Sequence, residues 1–277
     1  MKKSFNVAAL VMALVCSHSA LTQQPANPET NKAPQPAARR VPQAKTHIEF
    51  TDYNTAYGIA GGAAMEKAAD EFAAKYPDSE LKVYLYSKAM HEYQSENNSA
   101  KMLSSGEKVL QIDPDNSIAL VLTANVLADS VSDADTDKQA KIARVMKNST
   151  RALETVDAAF VAPPNATPAM VAEYKSTLRS MAHSALGIAA LKTNDDAAAE
   201  NELKLAAGQN QSQPDPYIWY HLALAQDHQK KYPEALTSIN RALQAIGANA
   251  DLGELARGEQ KRLLTLTGGS APTPAPK

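Results

Sequence analysis

One cysteine, Cys16, stands in a chain of 277 residues, and it falls inside an N-terminal segment that reads as a removable leader. Once that segment is gone no thiol remains, which excludes a disulfide framework, a cysteine nucleophile and a cysteine-ligated metal. Aromatic residues make up 5% of the chain, with a single tryptophan, Trp219. Alternating Val/Ile/Thr runs between Asn-Gly or Asp-Gly turns are missing, so nothing argues for a sheet. An excess of one charge is missing too: the formal net charge is -2, and lysines and arginines are dispersed. That excludes the basic footprint of a nucleic-acid binder. Gly58, Gly61 and Gly62 lack the Gly-Lys-Ser/Thr ending that cradles phosphate, so close packing or a helix break accounts for them better. No Gly-x-Ser-x-Gly elbow occurs, and no carboxylate pair stands out on an apolar helix face. The expectation is a non-enzyme with no catalytic residue and no cofactor.

What the chain does have is alanine in nearly every segment and a hydrophobic content of 44%, ample for a core. Alanine is the best helix former and lets helices approach closely, so an all-α fold is expected. At the start, Lys2 and Lys3 precede a mostly apolar stretch at residues 5–15 and small residues ending at Ala20. This is the pattern of a secretory signal, too short to cross a bilayer as a helix. Residues 1–20 are read as that signal, cleaved after Ser19 or Ala20, and the mature protein as exported, periplasmic or secreted. Anchoring as a lipoprotein through Cys16 is disfavoured, because Val15 stands where that signal wants a small residue. Residues 21–47 follow as a Pro-rich linker that cannot bury enough surface to offset ordering, with five prolines between 25 and 45. Residues 268–277 form a similar tail, leaving a folded region at 48–267.

Within that region the spacing repeats. The clearest unit spans residues 216–247, with Trp219-x2-Leu222-Ala223 followed by Ala235-x3-Ile239-x2-Ala242. His183-x2-Leu186-Gly187-x2-Ala190 with Ala199-x3-Leu203-x2-Ala206 has the same small-large-small pattern, and Trp219 lies 36 residues after His183. Earlier, Tyr86-x2-Ala89-Met90-x2-Tyr93 precedes Leu120-x2-Thr123-Ala124-x2-Leu127 by 34 residues. These motifs resemble the tetratricopeptide repeat. The departures are Ala223 for the usual glycine, Gln226 for an aromatic, Gly247 for the proline, and Gly106 where a large apolar residue belongs. Between Leu120 and His183 the interval is 63 residues, so that unit is not ordinary. It reads as a helix to about Ala128, a polar loop at 129–137, a long helix at about 138–160 and a break at Pro163 and Pro164. Thr167-Pro168 and Asp215-Pro216 read as helix starts, a capping side chain before a proline at the first helical position. Pro233 marks another start. Ala68-x3-Phe72-x3-Tyr76-Pro77 looks like the closing helix of a preceding degenerate unit, and also like repeats of bacterial outer-membrane assembly and cell-envelope factors. Residues 252–266 read as an amphipathic capping helix with Leu255, Leu263 and Leu266 apolar and Arg257, Glu259, Lys261 and Arg262 exposed.

The resemblance implies a right-handed superhelix of antiparallel helix pairs, a TPR-like α-solenoid closed by that capping helix. It implies that the first helix of each pair lines a concave face that holds a protein or peptide segment. Mapped onto this sequence, that face takes Tyr84, Ser87, His91 and Gln94, then Ile118, Val121 and Asn125, then Met181, Ser184, Ile188 and Leu191. Tyr217, Tyr220, Leu224, Asp227 and His228 complete it, making the groove aromatic and apolar toward the C-terminus. Tyr217 and Tyr220 either meet a ligand or pack on the capping helix, and the sequence leaves both open. The carboxylate clamp found in some family members is not matched, since Val121 stands where it needs a lysine. The partner is therefore expected to be a protein or peptide, with no nucleic acid and no transmembrane helix. The alternatives are an accessory subunit of a cell-envelope assembly or enzyme complex, acting at the outer membrane or cell wall, or a homo-oligomerisation module.

Two further patterns suggest chemistry. Asp133, Asp135 and Asp137 resemble the opening of a calcium loop, but Lys138 replaces its glycine and Arg144 its bidentate glutamate. A solvated acidic loop is the reading, with weak calcium binding as the alternative. His221 and His228 share a helix face, yet seven residues of helix rise separate them by about 10 Å, too far for one ion. His183 reads as a packing residue, and no metal is expected.

Overall fold

A computed structural model describes residues 41–162, 165–209, 215–247 and 250–268. The signal segment, the linker up to residue 40, the break at Pro163 and Pro164 and the tail from residue 269 lie outside the described residues. Eleven helices make up the described chain: α1 His47–Tyr57, α2 Gly62–Lys75, α3 Lys82–Ser95, α4 Ser99–Ile112, α5 Ser117–Ser130 and α6 Lys138–Ala159, then α7 Pro168–Lys192, α8 Asp196–Gln209, α9 Pro216–His228, α10 Tyr232–Ala245 and α11 Ala250–Leu266. Ahead of α1, the Gln43 N–H donates to Glu80 at 3.2 Å and the Lys45 N–H to Glu49 at 2.7 Å.

The chain turns in the same way at three hairpins. Asn97, Asn194 and Lys230 have φ of 54°, 60° and 61°. After each, an N–H reaches back to the first helix: Asn98 to the Tyr93 carbonyl at 2.9 Å, Asp195 to Ala190 at 3.0 Å, Lys231 to Gln226 at 2.9 Å. Left-handed residues of this kind satisfy carbonyls that a helix end leaves open. Side-chain caps start the next helices, with Asn98, Asn116, Thr167 and Asp215 accepting from Lys101, Ala119, Met170 and Tyr217. Each such cap contributes about 1 kcal/mol. The starts expected at Thr167-Pro168, Asp215-Pro216 and Pro233 are thus where α7, α9 and α10 begin.

Every helix packs on the next, and four pairs of first helices also touch: α1 with α3, α5 with α7, α7 with α9, and α9 with α11. No two second helices of successive pairs make a comparable contact among the described residues. The first helices therefore lie on the inner side of an all-α stack of antiparallel pairs, the architecture expected. Its core runs along the stack as successive clusters, from Tyr53, Met65 and Phe72 at one end to Ala223, Ile239 and Leu263 at the other.

Side-chain sizes inside the hairpins are complementary. In α7 and α8, Gly187 faces Leu203. In α3 and α4 the sizes are exchanged, with Met90 at the small place and Gly106 at the large one. A Cβ on Gly106 would meet Thr123 Cγ2 at 2.5 Å and Met90 Sδ at 3.2 Å, so the space an apolar side chain would take is already filled. The glycines between α1 and α2 serve as both break and packing site. Gly61 has φ 86°, and a Cβ on Gly62 would lie 2.3 Å from the Tyr93 ring.

The capping helix buries Leu263 and exposes Arg257, Lys261 and Arg262 as expected, but Leu255, Leu266 and Glu259 differ. Leu252, Gly253, Ala256 and Leu263 are its buried residues, whereas Leu255 is 57% and Leu266 47% exposed. Glu259 is half-buried beside Arg262, not exposed. Small residues at 253 and 256 let α11 approach closely, which turns Leu255 and Leu266 outward.

Candidate functional site

The inner face is not continuous. The α6 and α7 helices have 22 and 25 residues against 14 in α5, and α7 lies along the inner side of α5. Eleven residues of α5 are buried, Val121 and Asn125 among them. The Asn125 amide donates to the Val121 carbonyl at 2.7 Å and to the Met181 carbonyl on α7 at 3.1 Å, pinning the two first helices together. Ser184 and Ile188 are buried, and Met181 packs into the clusters on either side. Asn125, Met181 and Ile188 thus join α5 to α7 in the middle of the stack, and Ser184 is buried on the same helix.

Two stretches of the inner face keep part-exposed side chains. On α3, Tyr84, His91 and Gln94 are half-buried. Tyr84 lies 6.5 Å from Tyr53, and Tyr53 in turn meets Phe50, Tyr57 and Phe72, so a further aromatic cluster, centred on buried rings, lies at the N-terminal end. His91 Nδ1 is 3.3 Å from the Gln94 amide oxygen, and burial lowers the His91 pKa. Lys88 beside them donates to the Tyr57 and Ile59 carbonyls and sits 5.0 Å over the Tyr57 ring, closing the end of α1.

On α9, Tyr217 and Leu224 are half-buried and His228 is exposed, its Nδ1 2.8 Å from Asp196. Tyr220 packs in the cluster shared with α11 and meets His221 edge-on at 5.5 Å. Burial, followed by the charge of Glu259, raises its hydroxyl pKa. Tyr220 thus turns to the capping helix. Asp227 does too, pairing with Arg262 while its Oδ1 is buried without a partner.

Polar clasps that the sequence did not reveal join one pair to the next. Glu66 on α2 accepts from Tyr93 at 2.7 Å and from Lys101 and Lys108 at 3.1 Å. Burial alone would raise its pKa, but these donors outweigh it and hold it down at about 2. Glu200 on α8 repeats the arrangement, with Lys204 at 2.7 Å, Lys231 at 2.6 Å, Gln229 at 3.0 Å and Gln226 at 3.4 Å. Burial again opposes, and the pKa again settles at about 2. Gln226, standing where the repeat usually has an aromatic, also accepts from Ser238 at 2.7 Å.

In the acidic loop the carboxylates are already paired: Asp133 with Lys138 at 2.7 Å, and Asp135 and Asp137 with Lys141 at 2.8 and 3.1 Å. His183 pairs with Glu202 at 2.7 Å and His221 Nδ1 lies 2.9 Å from the Tyr217 carbonyl. Among the described residues no group of three or more His, Cys, Asp or Glu is arranged to hold a metal ion.

No family model and no curated protein matches this chain. Among solved structures it is similar to a thermophilic TPR protein of Thermus thermophilus, with 13% identity over 76% of this chain and 98% of that one and a TM-score of 0.46.

Proposed function

We propose that this chain is an exported, non-catalytic scaffold or adaptor that holds a segment of another protein on its first-helix face. The observation that carries the reading is the α9 stretch, where Tyr217, Leu224 and His228 lie on one first helix and keep part of their surface in solvent. Such side chains give an interface both apolar area and hydrogen-bonding capacity. Export is supported by Lys2, Lys3 and the apolar stretch behind them, which makes an envelope or secreted partner the natural one. No helix among the described residues is long and apolar enough to cross a membrane.

Site-directed photo-crosslinking tests this. A crosslinker at Leu224 should trap a discrete partner, and one at Met146, 53% exposed on the second helix α6, should not. Equal yields at both places, or a partner whose capture is unchanged by Tyr217→Ala, would overturn the assignment.

Self-association is a second reading, favoured by Leu255 and Leu266. They lie eleven residues apart, which is the same side of α11, and both are exposed at the end of the stack. Light scattering across a wide concentration range decides it, a constant monomer mass ruling it out.

A further inference from the structure

Two repeats of the stack carry the same cation-on-aromatic pair, and among the described residues only one of the two cations has an acidic partner. The tenth residue of α4 is Lys108, whose Nζ sits 5.0 Å over the ring of Tyr86. The tenth residue of α10 is Arg241, whose guanidinium sits 4.6 Å over the ring of Trp219. In both, 22 residues separate cation and ring. The preceding second helices, α2 and α8, have 14 residues each, and their fifth residues, Glu66 and Glu200, make the matching clasps described above. Their ninth residues differ in charge. In α2 it is Asp70, which accepts from Lys108 and from the Tyr86 hydroxyl, both at 2.8 Å. In α8 it is Lys204, which turns back to Glu200 at 2.7 Å.

Arg241 consequently has an aromatic perch and no acidic partner among the described residues. Around it lies a notch of about 640 Å³, with Trp219, Leu222, Ala207 and Ala245 as apolar lining and Lys204 and Gln244 at its edge. That volume is in the range of small-ligand and peptide side-chain sites. A Cβ at Gly208, on the same wall, would meet nothing within 4 Å. The notch opens between the second helices α8 and α10, with α9 as its floor, so it is separate from the first-helix face.

The geometry points to a second docking site here, for a protein segment that carries a carboxylate next to an aliphatic or aromatic side chain. The carboxylate takes the place that Asp70 fills in the earlier repeat, bonding Arg241, and the apolar neighbour covers Trp219 and Leu222. Charge complementarity selects the occupant: two cations border the notch, and the acid that neutralises the equivalent cation elsewhere is replaced by a base. A charge-assisted hydrogen bond on a stacked guanidinium gives such a segment both affinity and orientation.

Trp219 is the only tryptophan, so tryptophan emission of the full chain, excited at wavelengths that tyrosine does not absorb, reports on this notch. The test is titration with a small array of acetylated, amidated hexapeptides, each pairing one Asp or Glu with one Leu, Phe or Tyr, against counterparts with Asn or Gln in place of the acid. At least one acidic peptide should change the emission saturably, its neutral counterpart should bind about tenfold more weakly, and added salt should weaken the acidic one. Arg241→Gln, at an exposed position where the fold is retained, should lose the same tenfold, while Tyr217→Ala should change nothing. Equal binding of neutral peptides, unchanged binding by the Arg241→Gln protein, or no saturable response to any acidic peptide would each overturn the site. Loss with Tyr217→Ala but not with Arg241→Gln would move the segment to the first-helix face and overturn it equally.

Discussion

A Cβ built on Gly187 would fall 2.5 Å from Leu203 Cγ and 3.0 Å from its Cδ2, so Leu203 is seated against a bare stretch of the α7 backbone. Leu203 is fully buried there, and the same Cβ would also fall 3.3 Å from the Ala199 carbonyl oxygen, a backbone atom that cannot swing aside. Gly187→Ala gains about 1 kcal/mol of helix propensity and meets an overpacking cost of about 1–3 kcal/mol. The net expectation is destabilisation by roughly 1 kcal/mol in urea unfolding. In a Leu203→Ala background the added methyl has space, and the same change should become stabilising. A double-mutant cycle with no coupling between the two positions would refute the packing account.

Lys230 holds the left-handed conformation that asparagine holds in the two equivalent hairpins. A residue with a long side chain is strained there by about 1–2 kcal/mol relative to the right-handed region, and asparagine or glycine by less. Lys230 is exposed, so little else changes on substitution. Lys230→Asn and Lys230→Gly should each raise stability by about 0.5–1 kcal/mol, seen as a rise in Tm of about 1–4 °C. A fall in Tm for both would mean that the turn is not under this strain.

Arg262 reaches Asp227, whose carboxylate is 12% exposed, and also Glu259 at 2.8 Å. Its bonds to Glu259 and then Asp227 raise its own pKa. Arg262→Ala leaves Asp227 buried and charged with no partner, while the arginine itself was 46% exposed. The expected cost is about 2 kcal/mol. It should appear as faster amide exchange throughout α11, and Asp227→Asn should recover part of it by removing the stranded charge. Unchanged exchange in α11 would show that the ion pair does not hold the cap.

The sequence made some of this legible and hid the rest for identifiable reasons. Helix starts at Thr167-Pro168 and Asp215-Pro216, and the Gly187–Leu203 fit, are local: cap, proline and small-large spacing act within a turn or a hairpin. The covering of α5 by α7 is not local, because it depends on how far two long helices reach. One signal could have exposed it. Residues 119–128 carry no charge on any side, which is the mark of a helix buried all round. Assigning Val121 and Asn125 to a groove followed the repeat pattern instead of that composition. Glu66 and Glu200 escaped notice because acids on second helices read as solvated, and only the structure brings Lys101, Lys108 and Lys231 to them. The pairing of Trp219 with Arg241 at the same separation as Tyr86 with Lys108 was present in the sequence but has no meaning until helix geometry makes those positions neighbours.

Acid should unfold the stack through its two clasps. Glu66 and Glu200 each fall from an ordinary 4.5 to about 2 in the folded chain, since their donors outweigh burial. A carboxyl held lower in the folded than in the unfolded state contributes stability that is fully present above the unfolded value. That contribution is lost as pH falls through the folded one. The window is therefore about pH 4.5 down to 2, and each site is linked to stability on the order of 3 kcal/mol. Their side chains are only 13% and 6% exposed, so solvent screens them little. Urea unfolding at pH 7, 5, 3.5 and 2.5 should show stability falling between pH 5 and 2.5. The Glu66→Gln/Glu200→Gln protein, less stable at pH 7, should show a much shallower slope over that interval, because it has no carboxyl to protonate at either clasp. Parallel slopes for the two proteins would place the acid sensitivity elsewhere.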